Sequence, residues 1–166
     1  MPEAEVKKWS APKIGASHTT GRVVVGVDGS EGGHRALAYA AAVAEWQNWT
    51  LHIVHTWHVN YPVAPYVMDF SEMDAAAQDA AEQVVRDAEK EVLGDNCPLD
   101  IRRTVEEGPP ARTLVKLSEG ADLLVVGSRG LGGFSSLALG SVGQACVHHA
   151  HCPVLIVRPH SREEEP

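Results

Sequence analysis

Several features are scarce or missing in this chain, and each absence removes a class of protein. The cysteines, Cys97, Cys146 and Cys152, are odd in number and lack short paired spacing. That pattern suits free thiols in a reducing compartment and excludes a disulfide framework. No apolar run approaches the roughly 20 residues that cross a bilayer, so a membrane protein is not expected. The segment before Gly21 carries Lys7, Lys8 and Trp9 but no apolar stretch; a secretory signal is not expected, and the expected location is cytoplasmic. Positive charge is in deficit: 14 Lys and Arg against 22 Asp and Glu leave a formal charge of −8. Such a balance excludes a general nucleic-acid or anionic-membrane surface and leaves any anion site local. Two nucleotide signatures are absent as well. No Gly-Lys-Ser/Thr follows the glycines of the second half, and no Gly-x-Gly-x-x-Gly follows the first strand-like run.

What remains is an ordinary globular composition, 44% hydrophobic and 22% charged over 166 residues, the size of one domain with a sizeable core. Residues 1–20 mix Pro, Lys, Glu and Ser without periodicity, and residues 160–166 form an acidic tail. Both are expected to be disordered around a domain spanning residues 21–159.

Within that domain, strand and helix patterns alternate. Arg22 to Val27 is a β-branched run of the kind buried on both faces of a sheet, and it stops at Asp28-Gly29-Ser30. Leu37, Ala40, Ala41 and Ala44 then recur at i, i+3, i+4 and i+7. A second strand is predicted at Leu51 to His55, and a loop at Tyr61 to Met68. A long helix opens with the capping pair Ser71 and Asp74 and carries Ala77, Ala81, Val84, Val85, Ala88 and Val92 toward a stop at Gly94. A strand at Ile101 to Val105 precedes a short helix opened by Pro109 and Pro110, with Ala111, Leu114, Val115 and Ser118 on one face and Gly120 at its end. Leu123 to Val126 is a further buried strand. Val142, Ala145, Cys146 and His149 share a helical stripe, and Pro153 to Val157 closes the domain as a strand. Alternation of this kind predicts a parallel, doubly wound α/β sheet with helices on both faces. Ligands of such sheets bind beyond the carboxyl ends of the strands where strand order reverses, here after the first and fourth strands.

Those two ends hold the most unusual chemistry: Asp28-Gly29-Ser30, and the glycine-rich stretch from Gly127 to Ser141. Glycines let successive amides approach phosphate oxygens without a Cβ in the way. Gly140-Ser141 stands at the start of a helix, where free amides and the positive end of the dipole favour an anion. Gly127, Gly130, Gly140 and Ser141 follow the order Gly, two residues, Gly, nine residues, Gly-Ser. In this the chain resembles the ATP-binding universal stress proteins, a likeness extended by VVVGVDGS at Val23 to Ser30 and by Cys152-Pro153-Val154-Leu155-Ile156-Val157.

The resemblance implies a Rossmann-like fold of the adenine nucleotide alpha hydrolase type, with five parallel strands in the order 3-2-1-4-5. It implies that Val27 and Asp28 lie against the adenosine half while the backbone near Val54 holds adenine. Val126, Gly127 and Gly130 would meet ribose and phosphates, Gly140, Ser141, Val142 and Gly143 would give amides or a hydroxyl to the phosphate chain, and Arg129 would add charge. The expected ligand is ATP, with AMP or cyclic AMP as alternatives, and Mg²⁺ or Mn²⁺ carried by the phosphates. The resemblance also implies a homodimer formed by antiparallel pairing of Val154 to Val157. Its function would be nucleotide-dependent regulation in stress or dormancy; slow ATP hydrolysis or autophosphorylation with Ser141 as acceptor, and a nucleotide-independent dimeric scaffold, are the alternatives. Catalysis is the weaker of these, because no positioned base or charge-stabilising set is evident beyond Arg129 and nearby histidines.

Plainer readings stand beside these. Asp28 alone equally suits a helix cap or turn, and Arg129 a solvated loop charge. His52, His55 and His58, and His148, His149 and His151 with Cys152, resemble metal ligands in sequence only, since strand and helix periods point neighbouring members apart. Cys146 is expected to pack in the core. Trp46, Trp49 and Trp57 are expected to do the same.

Overall fold

The computed structural model describes residues 21–59, 71–130 and 139–159; the predicted terminal segments and the predicted loop from Tyr61 to Met68 lie outside the described residues. The elements run β1 (Arg22–Gly26), α1 (Glu31–Gln47), β2 (Thr50–Trp57), α2 (Ser71–Val92), β3 (Ile101–Glu107), α3 (Pro110–Ser118), β4 (Leu123–Gly127), α4 (Ser141–His149) and β5 (Val154–Val157). All strand pairs are parallel, in the order β3-β2-β1-β4-β5. The doubly wound five-stranded sheet expected from the sequence is therefore the fold.

The order follows from strand composition. β1 is flanked by β2 and β4, with Val23 beside Leu51 and Leu123, and Val25 beside Ile53 and Val125. A parallel strand covered on both faces reads as a near-continuous apolar run, and Val23, Val24 and Val25 are fully buried. Alternate residues serve different layers. Val23, Val25 and Val27 pack with Leu37, Ala40 and Ala44 of α1 and with Val85 and Ala88 of α2. Val24, Val54, Leu124 and Val126 pack with Leu114 of α3 and Cys146 of α4. Alanine on α1 lets that helix sit close to the sheet.

Local signals set the helix ends. Ser30 is the N-cap of α1, its hydroxyl accepting from the Gly33 amide at 3.0 Å, and Asn48 stops the helix in the left-handed region at φ 55°. Pro110 opens α3, where its missing amide hydrogen costs nothing.

The structure departs from expectation in a few places. β1 ends at Gly26, one residue short of Val27, while β2 and β3 run on together to Trp57 and Glu107. Their polar ends pair through backbone alone, which apolar patterning does not register. Pro153 stays outside β5; its carbonyl accepts from the Leu124 amide. His149 is exposed, and the buried face of α4 runs through Gly143 and Cys146 instead. Trp46 is 83% exposed, whereas Trp49 packs against the core as expected.

Candidate nucleotide site

At the carboxyl ends of β1, β2 and β4 a cavity of about 500 Å³ opens between the strand ends, α3 and the start of α4. Every residue singled out from the sequence, Val27, Asp28, Val54, Val126, Gly127, Arg129, Gly130, Gly140, Ser141, Val142 and Gly143, lines it. The site joins segments more than a hundred residues apart because β1 and β4 are neighbours in the sheet, where the strand order reverses.

Asp28 ties the first turn of α1 to the glycine-rich loop. Its Oδ1 accepts from the Ser30 amide at 3.0 Å and from the Ser30 hydroxyl, and Ser30 in turn caps α1. A Cβ placed on Gly33 would lie 2.9 Å from Asp28 Oδ1, and one on Gly130 would lie 2.4 Å from Oδ2. The carboxylate is thus wedged between the first turn of α1 and the glycine-rich loop, and both glycines are there because no side chain fits. Gly127 obeys the same constraint, since its Cβ would stand 2.9 Å from the Gly32 carbonyl oxygen. The turn-forming reading of Asp28 is therefore real, and it holds together with a position on the cavity wall.

The two ends of the glycine-rich stretch are tied. The Gly140 amide donates to the Ser128 carbonyl at 2.9 Å, and the Ser128 amide to the Val157 carbonyl at 2.8 Å. Gly140 is the N-cap of α4 and has no side chain to offer the first-turn amides at Ser141, Val142 and Gly143, residues that line the cavity. Amides in that position, backed by the helix dipole, suit phosphate oxygens. Arg129 is exposed at the rim, with its own carbonyl against Gly32.

Val27, Val54, Val126, Pro110 and Leu114 give the cavity an apolar wall. The Val27 amide donates to the Val54 carbonyl at 2.9 Å, binding the two strand ends together. His55 and Thr56 also line the cavity. The His55 Nδ1 lies 2.8 Å from the Val27 carbonyl, which can only accept, so Nδ1 carries the hydrogen and a neutral ring has Nε2 as its free acceptor.

Sequence reasoning missed His55, Thr56, Gly33, Pro110 and Leu114. One signal was legible: Gly26 interrupts a β-branched strand, and a Cβ there would meet Leu114 Cδ1 at 2.9 Å. Glycine in a strand marks the close approach of another element. The other histidines do not converge. His52 is buried with Nε2 on the Thr104 hydroxyl at 2.8 Å, His148 and His149 stand with ring centres 6.2 Å apart on the surface, and among the described residues no group of three or more His, Cys, Asp or Glu could hold a metal ion. Burial pushes the Cys146 thiol up to about 11 and raises that of Cys152, the opposite of what a reactive thiolate needs.

A doubly wound α/β domain with a glycine-rich loop at its switch point is the class this fold defines, and known proteins narrow it. The model of the universal stress protein family matches residues 19–158. A universal stress protein of Mycobacterium tuberculosis is 37% identical over 140 residues, covering 82% of this chain and 44% of the relative's length. The chain thus spans about half the length of the curated relatives it matches. Among solved structures, the universal stress protein UspA from Lactobacillus plantarum shares the fold with a TM-score of 0.67 at 22% identity, over 86% of this chain and all of the other. A universal stress protein in complex with cAMP has a TM-score of 0.62 at 27% identity, over 82% of this chain and 96% of that one. The chain belongs to the universal stress protein family. No described helix is long and apolar enough to cross a membrane.

Proposed function

We propose that the cavity holds an adenine nucleotide, with ATP as the physiological form, and that occupancy regulates this protein in a stress or dormancy response. One observation carries the reading: the start of α4 and the backbone from Gly127 to Gly130 line the same cavity as an apolar wall of Val27, Val54, Val126 and Leu114. A phosphate chain matches the first and a purine the second. The cAMP bound to a 27% identical family member supports the same chemistry. Val27, Asp28, Val54 and Val126 take the nucleoside, while Gly127, Arg129, Gly130, Gly140, Ser141, Val142 and Gly143 take the phosphates. Mg²⁺ or Mn²⁺ arrives on the phosphates, because a hard divalent ion bound this way keeps most of its ligands as phosphate oxygens and water. Two copies pair through the apolar edge strand β5, and the protein works in the cytoplasm.

Calorimetric titration of nucleotide-stripped protein with ATP, ADP, AMP and cyclic AMP in Mg²⁺ tests this. Micromolar binding is expected, weakened at least about tenfold in Gly130→Val, whose new side chain collides with Asp28. If no adenine nucleotide binds the unmodified protein, the scaffold reading replaces this one.

A further inference from the structure

Tyr39, Val43 and Trp46 follow one another at i, i+4 and i+7 along α1, an apolar stripe on a helix whose core face is already complete with Ala36, Leu37, Ala40 and Ala44. Tyr39 is 47% and Trp46 83% exposed, and Val43 is partly buried against the core edge. The stripe has a definite side. His34, on the other flank, contacts Glu91 of α2 at 3.4 Å, and Val43, nine residues later, is about half a turn round the helix from it. Tyr39, Val43 and Trp46 therefore face away from α2, toward the side of the sheet where Leu155 and Val157 of β5 pack under α1.

We infer that this flank of α1 is a second strip of the contact between two copies of this chain, lying beside the paired β5 edges. The inference rests on the β5 pairing proposed above and supplies what that pairing lacks. β5 has four residues, a length of about 13 Å, while a stable interface buries about 800 Å² per partner. Two such short edges fall well below that, even with Val154, Leu155 and Ile156 partly exposed. Tyrosine and tryptophan each bring up to about 150–250 Å² and are the commonest interface anchors. Symmetry brings them together: antiparallel pairing of two parallel-sheet edges needs a two-fold axis normal to the sheet, which leaves both α1 helices on the same face with their β5-side flanks opposed.

The two strips can be broken separately. The Val157 and Pro153 carbonyls are directed at the β4 side, so by alternation the backbone groups of Val154 and Ile156 point outward. Val154→Pro removes an outward donor at the first residue of the strand, where proline is tolerated. Tyr39→Glu/Trp46→Glu charges the α1 stripe, and Ala38→Glu puts one charge on the exposed opposite flank as a control. Sedimentation equilibrium across a dilution series, with circular dichroism to verify folding, reads the dimer dissociation constant. The expected result is a rise of at least about tenfold for both Val154→Pro and the double glutamate variant and none for Ala38→Glu. A dimer weakened by Val154→Pro but not by the double variant overturns the α1 strip and leaves the β5 pairing standing. A dimer weakened only by the double variant places the contact off β5 and overturns the side-by-side arrangement. Unmodified protein that stays monomeric overturns both.

Discussion

The two faces of the sheet are sealed by different means. One lies under α1 and α2, helices of 17 and 22 residues, and its buried cluster is aliphatic and alanine throughout. The other lies under α3 and α4, each of nine residues, and includes a buried histidine, His52, on the same side of β2 as Val54. The long helices bury their alanine and aliphatic faces on the first. On the second, among the described residues, a cavity opens at the carboxyl ends of the strands, bounded by Leu114 and Gly143. One face carries stability, and the other gives up part of its seal for a site.

The largest effect expected from that contrast is in packing. Leu37→Ala, in the fully buried face, should cost about 2–5 kcal/mol in urea unfolding. Leu114→Ala should cost less, because Leu114 already borders the cavity, and should weaken nucleotide binding at the same time. Equal losses from the two would break the comparison.

Acid offers the next test. Burial, followed by the charges of Arg22 and Arg102, lowers the His52 pKa from 6.5 to about 4. The unfolded chain then binds a proton between those values that the folded one refuses, so stability is whole above pH 6.5 and falls as pH drops toward 4. At about 1.4 kcal/mol per pH unit the loss is about 3 kcal/mol. His52→Gln, which keeps a partner for the Thr104 hydroxyl, should flatten that part of the profile relative to the unmodified protein. An unchanged slope would remove His52 as its source.

Smaller still is the α1 cap. Ser30→Ala leaves the Gly33 amide and Asp28 Oδ1 without the hydroxyl and should cost about 1 kcal/mol by thermal unfolding. The smallest expected effect belongs to Arg103, whose guanidinium makes two hydrogen bonds to Glu89 at 2.6 and 2.7 Å on the surface of β3 and α2. Arg103→Ala should cost under about 1 kcal/mol, less in high salt.

These differences were unequally legible in the sequence. The apolar stripes named the buried Leu37, Ala40, Ala41 and Ala44 of α1, though not Ala36, and the buried Ala81, Val85 and Ala88 of α2 together with the half-buried Ala77, Val84 and Val92, because turns packed on the sheet impose the helical period. On α4 the period misled at His149, since a nine-residue helix near the edge buries only part of its stripe. The glycine-rich cradle was legible from spacing, but not the reason for Gly130, which is the Asp28 carboxylate from the other side of the site. Trp46 and Trp49 looked alike as large apolar residues. Trp46 lies in the last turn of α1 on its outer side, while Trp49, past the Asn48 turn, is carried back onto the core.

What the sequence determined by itself was what depends on near neighbours along the chain: the alternation of strand and helix, the turn at Asp28-Gly29-Ser30, and the glycine spacing from Gly127 to Ser141. The tertiary structure alone decided what depends on neighbours in space. It set Leu114 against Gly26 of β1 at the cavity, brought His55 onto the Val27 carbonyl, and left Tyr39 and Trp46 exposed on α1. The physical reason is that backbone propensity and periodicity act over a few residues, whereas burial and close approach are fixed only when distant segments share one sheet.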